Sequence, residues 1–378
     1  MGIKRIGGGM AVNQITEGVI WKQLLYFFFP ILFGTFFQQL YNTADAVIVG
    51  QFVGTQALAA VGGATGSLHQ LLRHLSWACL RTTVVIAQAY GAHDAESVGG
   101  TVHTSVALAL AAGLGLTAVG VAAAPWALSA MGTPADIMDF ALTYLRVYML
   151  GTIPSFLYNV GSGILRAVGD TRRPLYFLII ACLVNIALDV VLVAVRGMGV
   201  LGAALATIFS QGVSAVLVLV SLTRAETVYR LDWKQVRFHG RLLGDILRVG
   251  VPAGLQSNMY AISNILIQTA INGFGTATVA AWTAHGKVDG FFWMILGAYG
   301  ISITTFAGQN FGAQKYDRIR RSVRVCLALL RQRCADERAV LLSGAVSAGP
   351  VHQGRRGGVH RPGHGAAAGA VLLHICLH

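Results

Sequence analysis

Two carboxylates stand inside apolar stretches of this 378-residue chain, Asp45 in Gln38-Gln-Leu-Tyr-Asn-Thr-Ala-Asp45 and Asp189 in Asn185-Ile-Ala-Leu-Asp189. A carboxylate among hydrocarbon must be paired, hydrated or protonated, because an isolated buried charge is expensive and is usually kept for function. The spacing of four puts Asn185 and Asp189 on one helical face, a turn apart, where their oxygens can hold a proton or a small hard cation such as Na+. Either acid could instead cap a helix end or bind a neighbouring helix; ion coupling is the preferred reading. Pro30, in the same apolar stretch as Asp45, removes one backbone donor and gives that helix a place to bend differently in two states. Thr207 lies within the small-residue run Gly199–Gln211 and can lend a hydroxyl inward, although most of that run serves close helix packing. Gln256, Ser257, Asn258, Asn264, Gln268 and Asn272 fall mostly in one broad helical sector, which reads either as interhelical hydrogen bonding or as the wall of a substrate cavity.

The elements that position these residues follow from composition. Hydrophobic residues make up 55% of the chain, charged residues 11%, and the mean hydropathy is +0.63, values that exclude an ordinary water-soluble domain of this size. The apolar stretches are continuous for about 20 residues or more instead of alternating over about ten, so the fold class is an all-α polytopic membrane protein and not a barrel. Spans are expected near 24–49, 57–90, 102–124, 137–160, 175–195, 199–221, 246–272 and 277–308, with a ninth beginning near 322. Ala87-Gln-Ala-Tyr-Gly-Ala92 and Gly308-Gln-Asn-Phe-Gly-Ala313 are near-copies 221 residues apart, and Gly54-Thr55 pairs with Gly275-Thr276 at the same offset. That offset holds about six crossings, so the chain is a duplication whose two copies share one orientation.

Lys and Arg concentrate before the first span, between the fourth and fifth, between the sixth and seventh, and after the eighth, which assigns those loops and the N-terminus to the cytoplasmic side of the cell inner membrane. The net charge of +13 therefore reflects membrane topology, and nucleic acid is not an expected partner. Five cysteines lack zinc spacing and read as small core residues, and the first apolar run is too long for a cleaved leader. Arg166-Ala-Val-Gly-Asp-Thr-Arg-Arg-Pro174 reads as a turn in which Asp170 and Thr171 cap the next helix. No metal cluster, nucleophile–base pair or phosphate loop is visible, so an enzyme is not expected, and no cofactor beyond the coupling ion. Leu68 to Arg81 carries His69, Arg73, His74 and Arg81 inside a span whose repeat partner is uncharged. Arg73 and Arg81 could line a pore, but a local shift of reading frame or a sequencing error is the preferred reading there, and the Arg-, Gly- and His-rich 331–378 reads as an altered frame or disorder.

Taken together, Pro30, Gln38, Asp45 and Gly50, Ala87-Gln88 to Gly91, Gly169-Asp-Thr-Arg-Arg-Pro174, Asn185 with Asp189, and Gly199 to Gln211 resemble the multidrug and toxic compound extrusion (MATE) family, over about residues 15 to 328. The resemblance is to the prokaryotic branch. It implies a two-lobe fold of parallel six-helix repeats, here with the second lobe incomplete. The N-terminal lobe would be 1–222, the inter-lobe linker 223–245, the start of the second lobe 246–330 and an aberrant tail 331–378. It also implies a monomeric exporter of small organic cations or drugs, surrounded by membrane lipids and driven by H+ or Na+. Asp45, Asp189, Asn185, Thr207 and Tyr144 would form the cation site, Pro30 the hinge, and Gln38, Gln256, Asn258, Asn264 and Gln268 a substrate cavity. The alternatives are a lipid or lipid-linked oligosaccharide flippase of related fold, and a truncated copy that does not transport.

Overall fold

Backbone groups in lipid have no water to bond, so a chain with uninterrupted apolar stretches satisfies them within helices. The computed structural model contains helices and no strand among its described residues. Those residues are 15–54, 56, 57, 60, 61, 82–130, 133, 135–272 and 276–326, with the backbone alone described at 261, 262, 265, 268, 269, 272, 276–289, 291 and 292. The charged stretch 68–81 and the segment 331–378 lie outside them. The described residues up to Val325 belong to one compact unit.

The order is α1 (Ile20–Phe52), α2 (Thr82–Gly91), α3 (Ala95–Ala130), α4 (Ala135–Leu150), α5 (Thr152–Ala167), α6 (Arg172–Asp189), α7 (Gly199–Thr223), α8 (Gly240–Asn272) and α9 (Thr276–Gly312). By length and composition α1, α3, α6 with its extension to Val195, and α7 can each cross a membrane, and α4 with α5 forms a fifth, broken span. The expected single span 137–160 is corrected by this break. The chain bends by 45° at Gly151 and runs on to Ala167, because Pro154 sits in the first turn of α5, where its missing N–H has no helical partner to lose. The expected α-helix through 195 is likewise modified, since Val190–Val195 is a π-helical turn.

α1 shows why the bundle belongs in lipid. Phe29, Phe33, Phe36, Leu40 and Val47, spaced by three, four or seven residues, fall on one face and are each 41–51% exposed, an apolar stripe that water would penalise. Its other face buries Leu24, Phe27, Phe28, Ile31, Asp45 and Val49 against α6, α7 and α9. The main core joins Val102 and Val106 of α3, Ile164 and Leu165 of α5, Val218 and Leu222 of α7, and Ile86 of α2. Among lipid tails such packing stabilises by close contact more than by removal from water.

The turns between helices follow local chemistry. Gly169 takes φ +105°, a left-handed backbone that only glycine adopts freely, and closes α5. Asp170 Oδ1 then accepts from the backbone N–H of Arg172 and Arg173, while Thr171 makes no side-chain cap, which corrects the expectation of two capping residues. The linker after α7 is docked on α3: His103 Nε2 accepts from the Asp232 N–H at 3.1 Å, and Thr104 Oγ1 lies 3.0 Å from His239 Nδ1. The next helix starts at Gly240, six residues before the expected 246.

Asp94 gives a first expectation. Its carboxylate accepts from the Ser97 N–H at 3.0 Å at the start of α3, and these bonds hold it below the usual carboxylate range. The cap is therefore in place above the unfolded value of 3.8 and is lost as pH falls through the lower folded one. Asp94→Ala should lower the melting temperature slightly at pH 7, and by less as the pH falls below 3.8, a difference that calorimetry reads directly.

Candidate cation site

Three helices bring the intramembrane acids together. Asp45 comes from the far third of α1, Asn185 and Asp189 from the last turn of α6, and Thr207 from the third turn of α7. Asp189 also opens the π-helical turn, a geometry that accumulates at functional sites because the ladder slips by one residue. Asn185 and Asp189 are fully buried, Thr207 is 2% exposed and Asp45 7%. The Thr207 hydroxyl lies 3.2 Å from Asp45 Oδ2 and 3.0 Å from the Ala203 carbonyl, so its one proton is shared between them. Asp45 neighbours Asp189 and Asn185 closely enough for each to influence the other's charge.

What matters chemically is what these groups leave unmade. Asp45 Oδ1, both oxygens of Asp189, and both the nitrogen and the oxygen of Asn185 are buried without a hydrogen-bond partner. Native interiors seldom leave buried polar groups so. Among the described residues no salt bridge reaches either carboxylate; the pair formed by Arg173 and Asp170 joins the first turn of α6 to the loop before it. Two like charges at about 4 Å repel by about 4 kcal/mol at an effective dielectric constant near 20. The arrangement therefore favours a positive guest held between oxygens, a proton or a small hard cation taken as substrate.

Tyr144 of α4, expected in the site, lies within electrostatic reach of Asp45 and Asp189 and stacks on Tyr148 with centroids 5.6 Å apart. Three neighbours were not singled out from the sequence: Tyr41, Tyr148 and Cys182. Their spacing was nonetheless a signal, because each stands three or four residues from a site residue on the same helix.

The other expected residues are dispersed. Gln38 is half-buried on α1. Gln256 and Asn264 of α8 are exposed, Asn258 is half-buried with Oδ1 unpartnered, and the Gln268 side chain lies outside the described residues. α8 packs against α2, α3 and α9, away from the carboxylates on α1 and α6. Pro30 lies inside α1, where it leaves the Tyr26 carbonyl without its helical donor. Pro30→Ala restores that bond, so amide exchange between Tyr26 and Gly34 should slow and turnover should fall several-fold; faster exchange would contradict the hinge assignment.

A duplicated bundle of lipid-facing helices around a buried acid pair defines a polytopic transporter. The MatE family model matches residues 30–191 and 252–331, and the chain belongs to that family. It is 28% identical over 310 residues to YpnP of Bacillus subtilis, named a probable multidrug resistance protein, covering 82% of this chain and 69% of that one. It is 27% identical over 296 residues to a NorM protein of Thermotoga maritima with the same designation, covering 77% and 63%. Among solved structures it superposes with TM-score 0.80 at 25% identity on an outward-facing multidrug resistance MATE transporter, covering 90% of this chain and 76% of that one. It superposes with TM-score 0.78 at 26% identity on a MATE protein in a bent conformation, covering 85% and 72%.

Proposed function

We propose that the chain exports organic, often cationic compounds across the cell inner membrane in exchange for inward H+ or Na+, by alternating access. The observation that carries this reading is the cluster of five unpartnered polar atoms on Asp45, Asn185 and Asp189 with no basic partner among the described residues. A cation entering there offsets the mutual repulsion and lets α1, α6 and α7 close dry around it; its departure rehydrates the pair and loosens the same packing. The guest drives transport only through the difference in its affinity for the two arrangements. Tyr144 and Thr207 orient the acids, and Pro30 supplies the bend.

The lobe division 1–222 and 246–330, with 223–245 between, belongs to this reading. So does the orientation, in which the basic stretch before α1 and the basic loops after α5, α7 and α9 face the cytoplasm. The relatives designated multidrug resistance proteins support the substrate class. Proteoliposomes containing the purified chain and a fluorescent organic cation test the proposal. Accumulation should follow an imposed proton or sodium gradient and collapse when the gradient is dissipated. Passage indifferent to both gradients, or movement of labelled lipid alone, would refute it.

A further inference from the structure

The duplicated motif meets itself. Ala87-Gln-Ala-Tyr-Gly-Ala92 closes α2, Gly308-Gln-Asn-Phe-Gly-Ala313 closes α9, and the two helix ends pack together. The contact is reciprocal: a Cβ on Gly91 would overlap the backbone of Gln309, and one on Gly312 would overlap the backbone of Gln88. Gly308 adds a third close approach, since its Cβ would come 2.9 Å from that of Ala87. Backbones come this near only through small residues, and each copy of the motif is the surface that fits the other.

Two amides extend the joint. The Gln309 side chain donates to the Ala167 carbonyl at the end of α5, and Asn310 Oδ1 accepts from Arg318 Nε at 3.1 Å. Arg318 also donates to the carbonyls of Gly18 at 2.9 Å, Ile15 at 3.3 Å and Glu17 at 3.3 Å, and to Gln23 Oε1 at 3.2 Å. Lys315 Nζ donates to the Thr16 carbonyl at 3.0 Å. The residues leading into α1 are thereby strapped to the chain after α9. All of this lies where α1 begins and α2, α5 and α9 end, opposite the end of α1 and α6 that carries Asp45 and Asp189.

We propose that the Gly91–Gly312 crossing is the inner closure of the transport path and Arg318 its latch, both released when the site opens inward. This rests on the alternating-access reading above. The chemistry suits a reversible contact. Glycine backbones touch without interlocking side chains, every acceptor on the latch is a neutral oxygen, and those of Glu17 and Gly18 lie exposed where water can replace the guanidinium.

The test uses the full chain in membranes, with Cys79, Cys182, Cys326, Cys334 and Cys376 changed to Ala and one cysteine introduced by Thr305→Cys. Thr305 is fully buried on α9, a turn further in than Gly308. A membrane-impermeant maleimide is applied from the basic face and the labelling rate is read by mass. Gly91→Ala and Gly312→Ala should each raise the rate about tenfold or more, since 1.4 kcal/mol shifts a two-state equilibrium by that factor. Arg318→Ala should raise it as well, and Arg318→Lys, which keeps the charge and loses the planar fork, should fall between. Unchanged labelling in the glycine variants would overturn the closure. Should these not assemble, Arg318→Ala decides alone, because Arg318 stands on the helical stretch after α9 and outside the packed crossing, and an unchanged rate there overturns the proposal. Labelling does not require transport, so a chain that couples to no cation still answers, and loss of coupling refutes the earlier reading without touching this one.

Discussion

Asp189→Asn is expected to abolish gradient-driven export while leaving a folded protein that melts at the wild-type temperature or slightly above. The substitution keeps the shape of a fully buried side chain that has no hydrogen-bond partner on either oxygen. Removing an ionisable group that the bundle buries without a partner costs the fold little, and exchanging a buried ion for a neutral group of similar volume is often neutral or stabilising. The guest, however, loses an attraction of about 4 kcal/mol for a charge about 4 Å away at an effective dielectric constant near 20. After discounting for relaxation, affinity should fall at least about a hundredfold, at 1.4 kcal/mol per factor of ten. Asp170→Asn is the control. That carboxylate is part-exposed, caps the start of α6 and pairs with Arg173 in its first turn, at the opposite end of that helix from Asp189, so transport should continue. Export by Asp189→Asn at the wild-type rate would remove the acid pair from the mechanism.

Asn185→Lys should stop transport for the opposite reason. Asn185 is fully buried beside both acids, and a lysine there supplies a permanent positive guest. Overpacking by the longer side chain costs about 1–3 kcal/mol. Attraction to each carboxylate is worth about 4 kcal/mol at about 4 Å on the same scale, and the two together offset the several kcal/mol that desolvating the ammonium costs, so the balance favours the occupied arrangement. The variant should melt several degrees higher than wild type and lose any response of melting to sodium or pH. A purely geometric role for Asn185 gives the reverse, a lower melting temperature with the cation response intact. The two substitutions together separate charge from shape.

Much of this was legible in the sequence because lipid simplifies the problem. Long apolar stretches admit only helices, so the existence and order of α1, α3, α6 and α7 followed from hydropathy, and the spacing of Asn185 and Asp189 fixed their common face. The break between α4 and α5 was not legible, since Gly151 and Pro154 are common in membrane helices and the hydropathy across them is continuous. The π-turn after Asp189 was hidden for a related reason: Val190–Val195 suits α- and π-geometry equally. Thr207 reaching Asp45 is a long-range contact that no local spacing encodes. The repeated Gly-Gln motif was visible as a repeat, but that the copies touch each other emerged only with the fold. The polar residues of α8 read as a single sector, yet Gln256 and Asn264 are exposed and that helix leans on α2, α3 and α9.

The most direct measurement is thermal melting of the purified wild type and of Asp45→Asn/Asp189→Asn over a sodium series at alkaline pH and a pH series without sodium. The wild type should melt higher as sodium is added or as protons become available, because either guest binds the folded acid pair and not the unfolded chain. The double variant should give a flat response in both series. An equal rise in the double variant would place cation binding elsewhere and contradict the role assigned to Asp45 and Asp189.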